Sequence, residues 1–339
     1  MNYELMKRLL YLLCILTLVA CGTTKKQVEQ QPVVSIQFNA DSAYQFCAAQ
    51  CQFGPRTMNS EAHEQCAQWI AQKFQQYGYQ VELQKADLKG YDGTILKSTN
   101  IIANSPLSTL HSPLSTLNSQ LPRILICAHW DSRPWADNDP DPDNWRKPVM
   151  AANDGASGVA VMLELARLIQ QHDSLNVAVD FICFDAEDWG IPQWDETGDG
   201  TDSWALGAQY WAKKTNGQQP YQYAILLDMV GGQGAKFYQE GYSLQKAGQI
   251  VEKVWRAASA AGYGSTFPMK EGGGVTDDHV PVNDIANIPC IDIINYYPDC
   301  PQSSFGPTWH TVNDDMQHID KNTLQAVGQT LVQVLFSEQ

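Results

Sequence analysis

Positive charge is what this chain has least of. Its 339 residues carry 22 Lys and Arg against 37 Asp and Glu, a formal net charge of −15. That balance argues against nucleic acid or a bare anionic lipid surface as partner. The apolar stretch at residues 9–19 is too short to span a bilayer as a stable helix. None of the nine cysteines has the two-residue spacing of a zinc-thiolate site. What is present describes a globular protein: a 44% hydrophobic fraction and ten Trp, in a chain able to bury one large core or two small ones.

The first residues read as a targeting segment. Lys7 and Arg8 precede the apolar stretch, which ends in Leu18-Val19-Ala20-Cys21-Gly22, similar to a bacterial lipoprotein cleavage box. The expectation is a signal peptide at 1–21, a mature chain starting at lipidated Cys21, a tether over 22–40 and a single catalytic α/β domain at 41–339. Such a protein would sit in the bacterial cell envelope, lipid-anchored on the periplasmic side or the cell surface. Its only membrane contact would be through Cys21. Cys127, Cys183 and Cys290 lie in apolar runs and read as core residues. Cys47, Cys51, Cys66 and Cys300 leave disulfide pairing open.

Strand-like runs at 79–83, 99–103, 123–128, 177–184, 223–227 and 288–294 alternate with helical patterns at 157–170, 204–214, 244–261 and 321–336. A capped helix starting after Asn59-Ser60 ends near Gly78. The pattern predicts an α/β fold: a mixed, mostly parallel central sheet with helices on both faces. The hexapeptide Ser105-Pro-Leu-Ser-Thr-Leu110 recurs at Ser112 to Leu117 and reads as a hairpin-loop insertion. Two acidic loops, 135–145 and 194–202, read as solvated surface rather than calcium sites.

Chemistry gathers where the apolar strands end, the edge at which open α/β sheets bind ligands. His129 and Asp131 follow one strand, Glu187 and Asp188 another, and Asp228 a third. Asp154 stands in Asn153-Asp154-Gly155 ahead of a helix, and His310 precedes the last helix. Singly, each has a bland explanation: Asp154 can cap a helix, and Asp131 is better read as orienting His129 than as a ligand. Together they form an oxygen- and imidazole-rich rim without thiolate, which suits zinc with an open position. Adjacent Glu187 and Asp188 would repel without a cation.

These residues resemble a known family. His129-x-Asp131, Asp154-Gly-Ala-Ser-Gly158, Asp185-Ala-Glu187-Asp188, Leu227-Asp228 and Trp309-His310 look like the zinc aminopeptidase superfamily, peptidase family M28. Leu226 to Gly231, Thr276-Asp277-Asp278-His279-Val-Pro281 and Trp309 before His310 are more similar to its glutaminyl-peptide cyclotransferases, or glutaminyl cyclases. That resemblance implies one zinc per chain, on Asp154, Asp188 and His310. It implies Glu187 as general acid/base, Asp228 and Asp277 as a proton-holding network, and Trp309 with Trp194 or another nearby Trp as pocket walls. The substrates would be peptides or proteins with N-terminal Gln, and the enzyme an acyltransferase. Asp188 stands where many relatives carry Glu. His129 and Asp228 complete a possible second metal site, so a di-zinc aminopeptidase is the alternative. A noncatalytic peptide-binding lipoprotein is the third reading.

Overall fold

The computed structural model describes residues 33–105, 121–172, 175–195, 203–215, 217 and 221–338. Pro32–Gln339 form one compact unit. The expected signal peptide, most of the hexapeptide repeat and the loop beyond Asp195 lie outside the described residues. Among the described residues no helix is long and apolar enough to cross a membrane.

The elements follow in the order α1 (Ala40–Cys51), α2 (Glu61–Gln76), β1 (Gln80–Lys89), β2 (Ile95–Asn104), β3 (Arg123–His129), α3 (Ala156–Gln171), β4 (Ala178–Phe184), α4 (Leu206–Thr215), β5 (Tyr221–Asp228), α5 (Gly241–Ala260), α6 (His279–Asp284), β6 (Cys290–Ile294) and α7 (Lys321–Leu335). Six strands form one sheet in the order β1-β2-β4-β3-β5-β6. β1 and β2 are antiparallel, as are β2 and β4. β4, β3, β5 and β6 run parallel, so His129, Phe184, Asp228 and Ile294 finish on one edge. The sheet is mixed and mostly parallel, with helices on both faces.

Alternation explains why the central strands read as unbroken apolar runs. Successive side chains point to opposite faces, and both faces are covered. Ile124, Ile126, Val179, Phe181, Ile225, Leu227 and Ile291 join the main core, with helix residues such as Phe74, Val159, Val254 and Leu331. Leu125, Cys127, Ile182, Phe184, Leu226 and Cys290 join a second core with Trp211 and Val282.

Several expectations shift. β1 and β2 extend beyond the residues anticipated, and in their outer halves exposed positions such as Ile95 and Lys97 alternate with more buried ones such as Leu96 and Ser98. Trp204 is not helical: Ala205 takes φ 55° and α4 starts at Leu206. α1 and α6 were not expected. The tether does not reach residue 40. Val34 and Phe38 donate backbone N–H bonds to Gln333 Oε1 (2.9 Å) and Gln329 Oε1 (2.8 Å), and the Phe38 ring is buried. All seven described cysteines are free thiols; Cys127, Cys183 and Cys290 are buried as expected.

Candidate metal centre and active site

The tips of β3, β4 and β5 deliver His129, the Glu187–Asp188 pair and Asp228 to one place. Asp131 fixes the turn after β4: its two carboxyl oxygens accept from Glu187 N and Asp188 N, each at 3.2 Å. It also lies 3.5 Å from His129 Nδ1, so it orients that ring as well. Asp154 arrives from the start of α3, held by Asp314, whose carboxyl accepts from Asn153 N (2.8 Å) and Asp154 N (3.0 Å). α3 lies close to β5 because Gly158 has no Cβ to strike the Leu227 carbonyl.

His310 comes from the loop before α7, with φ 53°. Its ring stacks on Trp309 (centroids 3.8 Å, 23°), and Trp204 lies parallel to it at 6.1 Å. Nε2 is 3.3 Å from Asp188 Oδ1 and 3.5 Å from Asp154 Oδ2, while Nδ1 is 3.4 Å from Asp137 Oδ1. Asp137 is gripped by Arg133, whose Nε and a terminal nitrogen each donate at 2.7 Å. Arg133 also donates to the carbonyls of Asp188 (3.1 Å) and Gly190 (3.3 Å).

Two triads result. Asp154, Asp188 and His310 each offer one ligand atom within 4.8 Å of the others, as do His129, Asp154 and Asp228. All five residues are buried. Asp154 Oδ2 and Asp188 Oδ2 are buried with no hydrogen-bond partner. Converging, orphaned carboxylates with an imidazole form a donor set that fits zinc. His129 Nε2 meanwhile lies 3.0 Å from Asp154 Oδ1 and 3.2 Å from Asp228 Oδ1.

The electrostatics separate the adjacent acids. Burial, then the Asp188 charge, pushes Glu187 well above the usual carboxylate range. Burial pushes Asp188 up too, but His310 and Arg133 outweigh it and hold that carboxyl low. Asp277 is raised to about 6 by burial and by Asp228. Neighbouring acids with opposite proton affinities divide into a charged ligand and a proton carrier.

The sequence-predicted rim residues therefore meet. Trp194 does not join them: its ring stacks on Trp145 (6.3 Å), meets Trp135 edge-on and lies under Arg146. Trp204 takes the place beside His310. The loop 135–145 is not a solvated surface throughout, since Asp137 and Asp139 are buried, Asp139 accepting from Asn144, Asp141 N and Val312 N. Arg133, Asp137 and Asp314 were missed; the i,i+4 spacing of Arg133 and Asp137 was the available signal.

Fold and site define an α/β enzyme of the zinc exopeptidase type. More narrowly, the chain belongs to peptidase family M28, whose model matches residues 114–335. It is similar to the solved glutaminyl cyclase of Bacteroides thetaiotaomicron bound to N-acetylhistamine: 46% identity over 90% of this chain and 99% of that one, TM-score 0.83. A leucine aminopeptidase precursor from the same species is 45% identical, over 91% of this chain and 100% of that one, TM-score 0.83. Aminopeptidase YwaD of Bacillus subtilis is 27% identical over 219 residues, 63% of this chain; the match spans 40% of that protein's length.

Proposed function

We propose that this chain is a zinc-dependent glutaminyl-peptide cyclotransferase, which converts N-terminal glutamine of peptides or proteins to pyroglutamate and releases ammonia. The observation that carries the reading is the convergence of Asp154, Asp188 and His310 on one point, with Glu187 buried next to Asp188 in the chain. The 46% identity to a glutaminyl cyclase supports the same assignment.

One zinc is assigned to Asp154, Asp188 and His310, and when bound it supplies Lewis acidity toward the γ-amide carbonyl. The rest falls to the chain. The substrate's α-amino nitrogen attacks the carbonyl carbon of its own side-chain amide, so holding the side chain folded supplies much of the rate. Glu187 takes the proton that the attacking nitrogen sheds and returns it to the amide nitrogen as the C–N bond breaks, releasing ammonia. Asp228 and Asp277 form the acid network proposed beside Glu187, and burial with the Asp228 charge raises Asp277 to about 6. Trp309 and Trp204, both close to parallel with the His310 ring, give the centre an aromatic surround suited to an uncharged side chain.

The second reading is a di-zinc aminopeptidase, favoured by the His129–Asp154–Asp228 triad and the similar aminopeptidase precursor. Residues 1–21 are proposed to direct the protein to the bacterial envelope, anchored through lipidated Cys21; palmitate labelling that survives Cys21→Ser would refute the anchor.

The test of function is mass spectrometry of a Gln-initiated peptide incubated with zinc-loaded protein. Loss of one ammonia from an otherwise intact peptide is expected. Release of free glutamine would replace the cyclase with the peptidase, and metal analysis would then give two zincs per chain rather than one.

A further inference from the structure

The turn that presents Glu187 is held from behind by a buried pair that the mechanism above does not use. Ala186, one residue before Glu187, takes φ 54°, a left-handed conformation that an alanine keeps only where its surroundings enforce it. Its N–H donates to Asp185 Oδ1 (2.9 Å) and its carbonyl accepts from Leu206 N (3.1 Å). The Glu187 carbonyl accepts from Ala205 N (3.1 Å). Asp185 Oδ2 accepts from Thr99 N on β2 (2.5 Å), and Asp185 N donates to Asn100 Oδ1 (3.0 Å). One carboxyl group thus ties the end of β4 to β2 and folds the backbone that leads into the turn.

Asp185 is fully buried, so its direction depends on what grips it. That grip comes from α2. Ser60 caps the helix, its Oγ accepting from His63 N (3.1 Å), which sets His63 in the first turn. His63 is 4% exposed, and its Nε2 lies 2.9 Å and 3.0 Å from the two Asp185 oxygens. An ionised carboxylate only accepts, so Nε2 carries the hydrogen and donates to Asp185. The ring is packed flat on Trp130 (centroids 4.3 Å, 21°), whose Nε1 donates to the Thr99 carbonyl (3.2 Å). His63 also borders a polar cleft of about 400 Å³, together with Asn59, Glu64, Lys85 and Lys97. Space freed by a change at His63 therefore opens to water rather than becoming a sealed void.

We propose that His63 is a positioning residue: by gripping Asp185 it holds Ala186 left-handed and so aims the Glu187 carboxyl. This rests on the cyclase reading for the role of Glu187, but the grip itself can be read without turnover. His63→Leu keeps the bulk and loses the donor. It should lower kcat for a Gln peptide about tenfold, with KM within about twofold and zinc content at the wild-type value. His63→Gln restores an N–H donor and should stay within about threefold of wild type. Asp185→Asn should behave like His63→Leu, and combining the two should lower kcat less than about twofold further, because they act as one unit. Amide exchange followed by mass spectrometry should be about tenfold faster at Ala186 in zinc-loaded His63→Leu than in wild type.

An unchanged kcat in His63→Leu would overturn the proposal even where urea unfolding showed lost stability, since a merely structural pair gives that result. Equal kcat losses in His63→Leu and His63→Gln would overturn it, as would wild-type exchange at Ala186. Zinc lost from His63→Leu would also overturn it, making the pair a support of the metal instead. Should His63→Leu not fold, Asp185→Asn decides, and an unchanged kcat there refutes the grip. If wild type cyclised no Gln peptide, the cyclase reading would fail while the exchange result still decided the proposal.

Discussion

Replacing Asp137 by Asn should weaken zinc binding although Asp137 is not assigned as a ligand. Its Oδ1 lies 3.4 Å from His310 Nδ1, so its charge favours the tautomer that carries hydrogen there and leaves Nε2 as the donor facing Asp154 and Asp188. Removing such an oriented partner typically costs 10–100-fold in metal affinity, about 1.4–2.7 kcal/mol. A second loss accompanies it. Arg133 and Asp137 are each 1% exposed, and the substitution leaves a buried guanidinium short of its counter-charge. Breaking a buried pair costs about 3–5 kcal/mol. The lower end applies, because Asn Oδ1 still accepts one bond and Arg133 keeps the carbonyls of Asp188 and Gly190. The assay is zinc competition against a chromogenic chelator, paired with urea unfolding of zinc-free protein. A variant that loses stability yet binds zinc within about twofold of wild type would refute the tautomer argument.

Three other expectations follow from single contacts. Glu187→Gln should lower turnover at least about a hundredfold while zinc content stays at the wild-type value; retained activity in a steady-state assay would remove Glu187 from its role. Gly158→Ala should cost about 1–3 kcal/mol by urea unfolding, since its Cβ would strike the Leu227 carbonyl and push α3 from the strand that carries Asp228. Glu240 is held at about 2: burial opposes ionisation, but His279 and Ser243 outweigh it. A depressed folded value stabilises above the unfolded one, so the stability gap between wild type and Glu240→Gln should shrink as pH falls from about 4.5 towards about 2. A gap constant across that window would count against the ion pair.

Much of the centre was legible because it obeys local rules. Strands buried on both faces must be continuously apolar, and ligands gather where such strands end, so His129, Glu187, Asp188 and Asp228 could be placed without a partner in view. What stayed hidden depends on contacts remote in the chain. Asp137 looks like a solvated loop residue until Arg133 and His310 close over it. Val34 and Phe38 look like tether until Gln333 and Gln329, some 290 residues or more further on, accept from their backbone N–H groups. α6 is six residues with Pro281 inside, too short for a helical period. Trp194 and Trp204 flank the same acidic loop, and nothing local says that only Trp204 lies beside His310.

The placement of His310 has a consequence for synthesis. Two of the three assigned zinc ligands have been made once residue 188 leaves the ribosome, but the third waits for residue 310. Asp314, which holds the backbone at Asp154, comes later still. A nascent or truncated chain thus carries a nest of carboxylates with no imidazole opposite Asp188. On the proposed ligand set, zinc would complete this fold rather than nucleate it, because metal acts on folding only through ligands already present. Chains cut short before His310 should lack the proposed zinc and fall prey to proteolysis, so that zinc loading would mark a chain synthesised past residue 310.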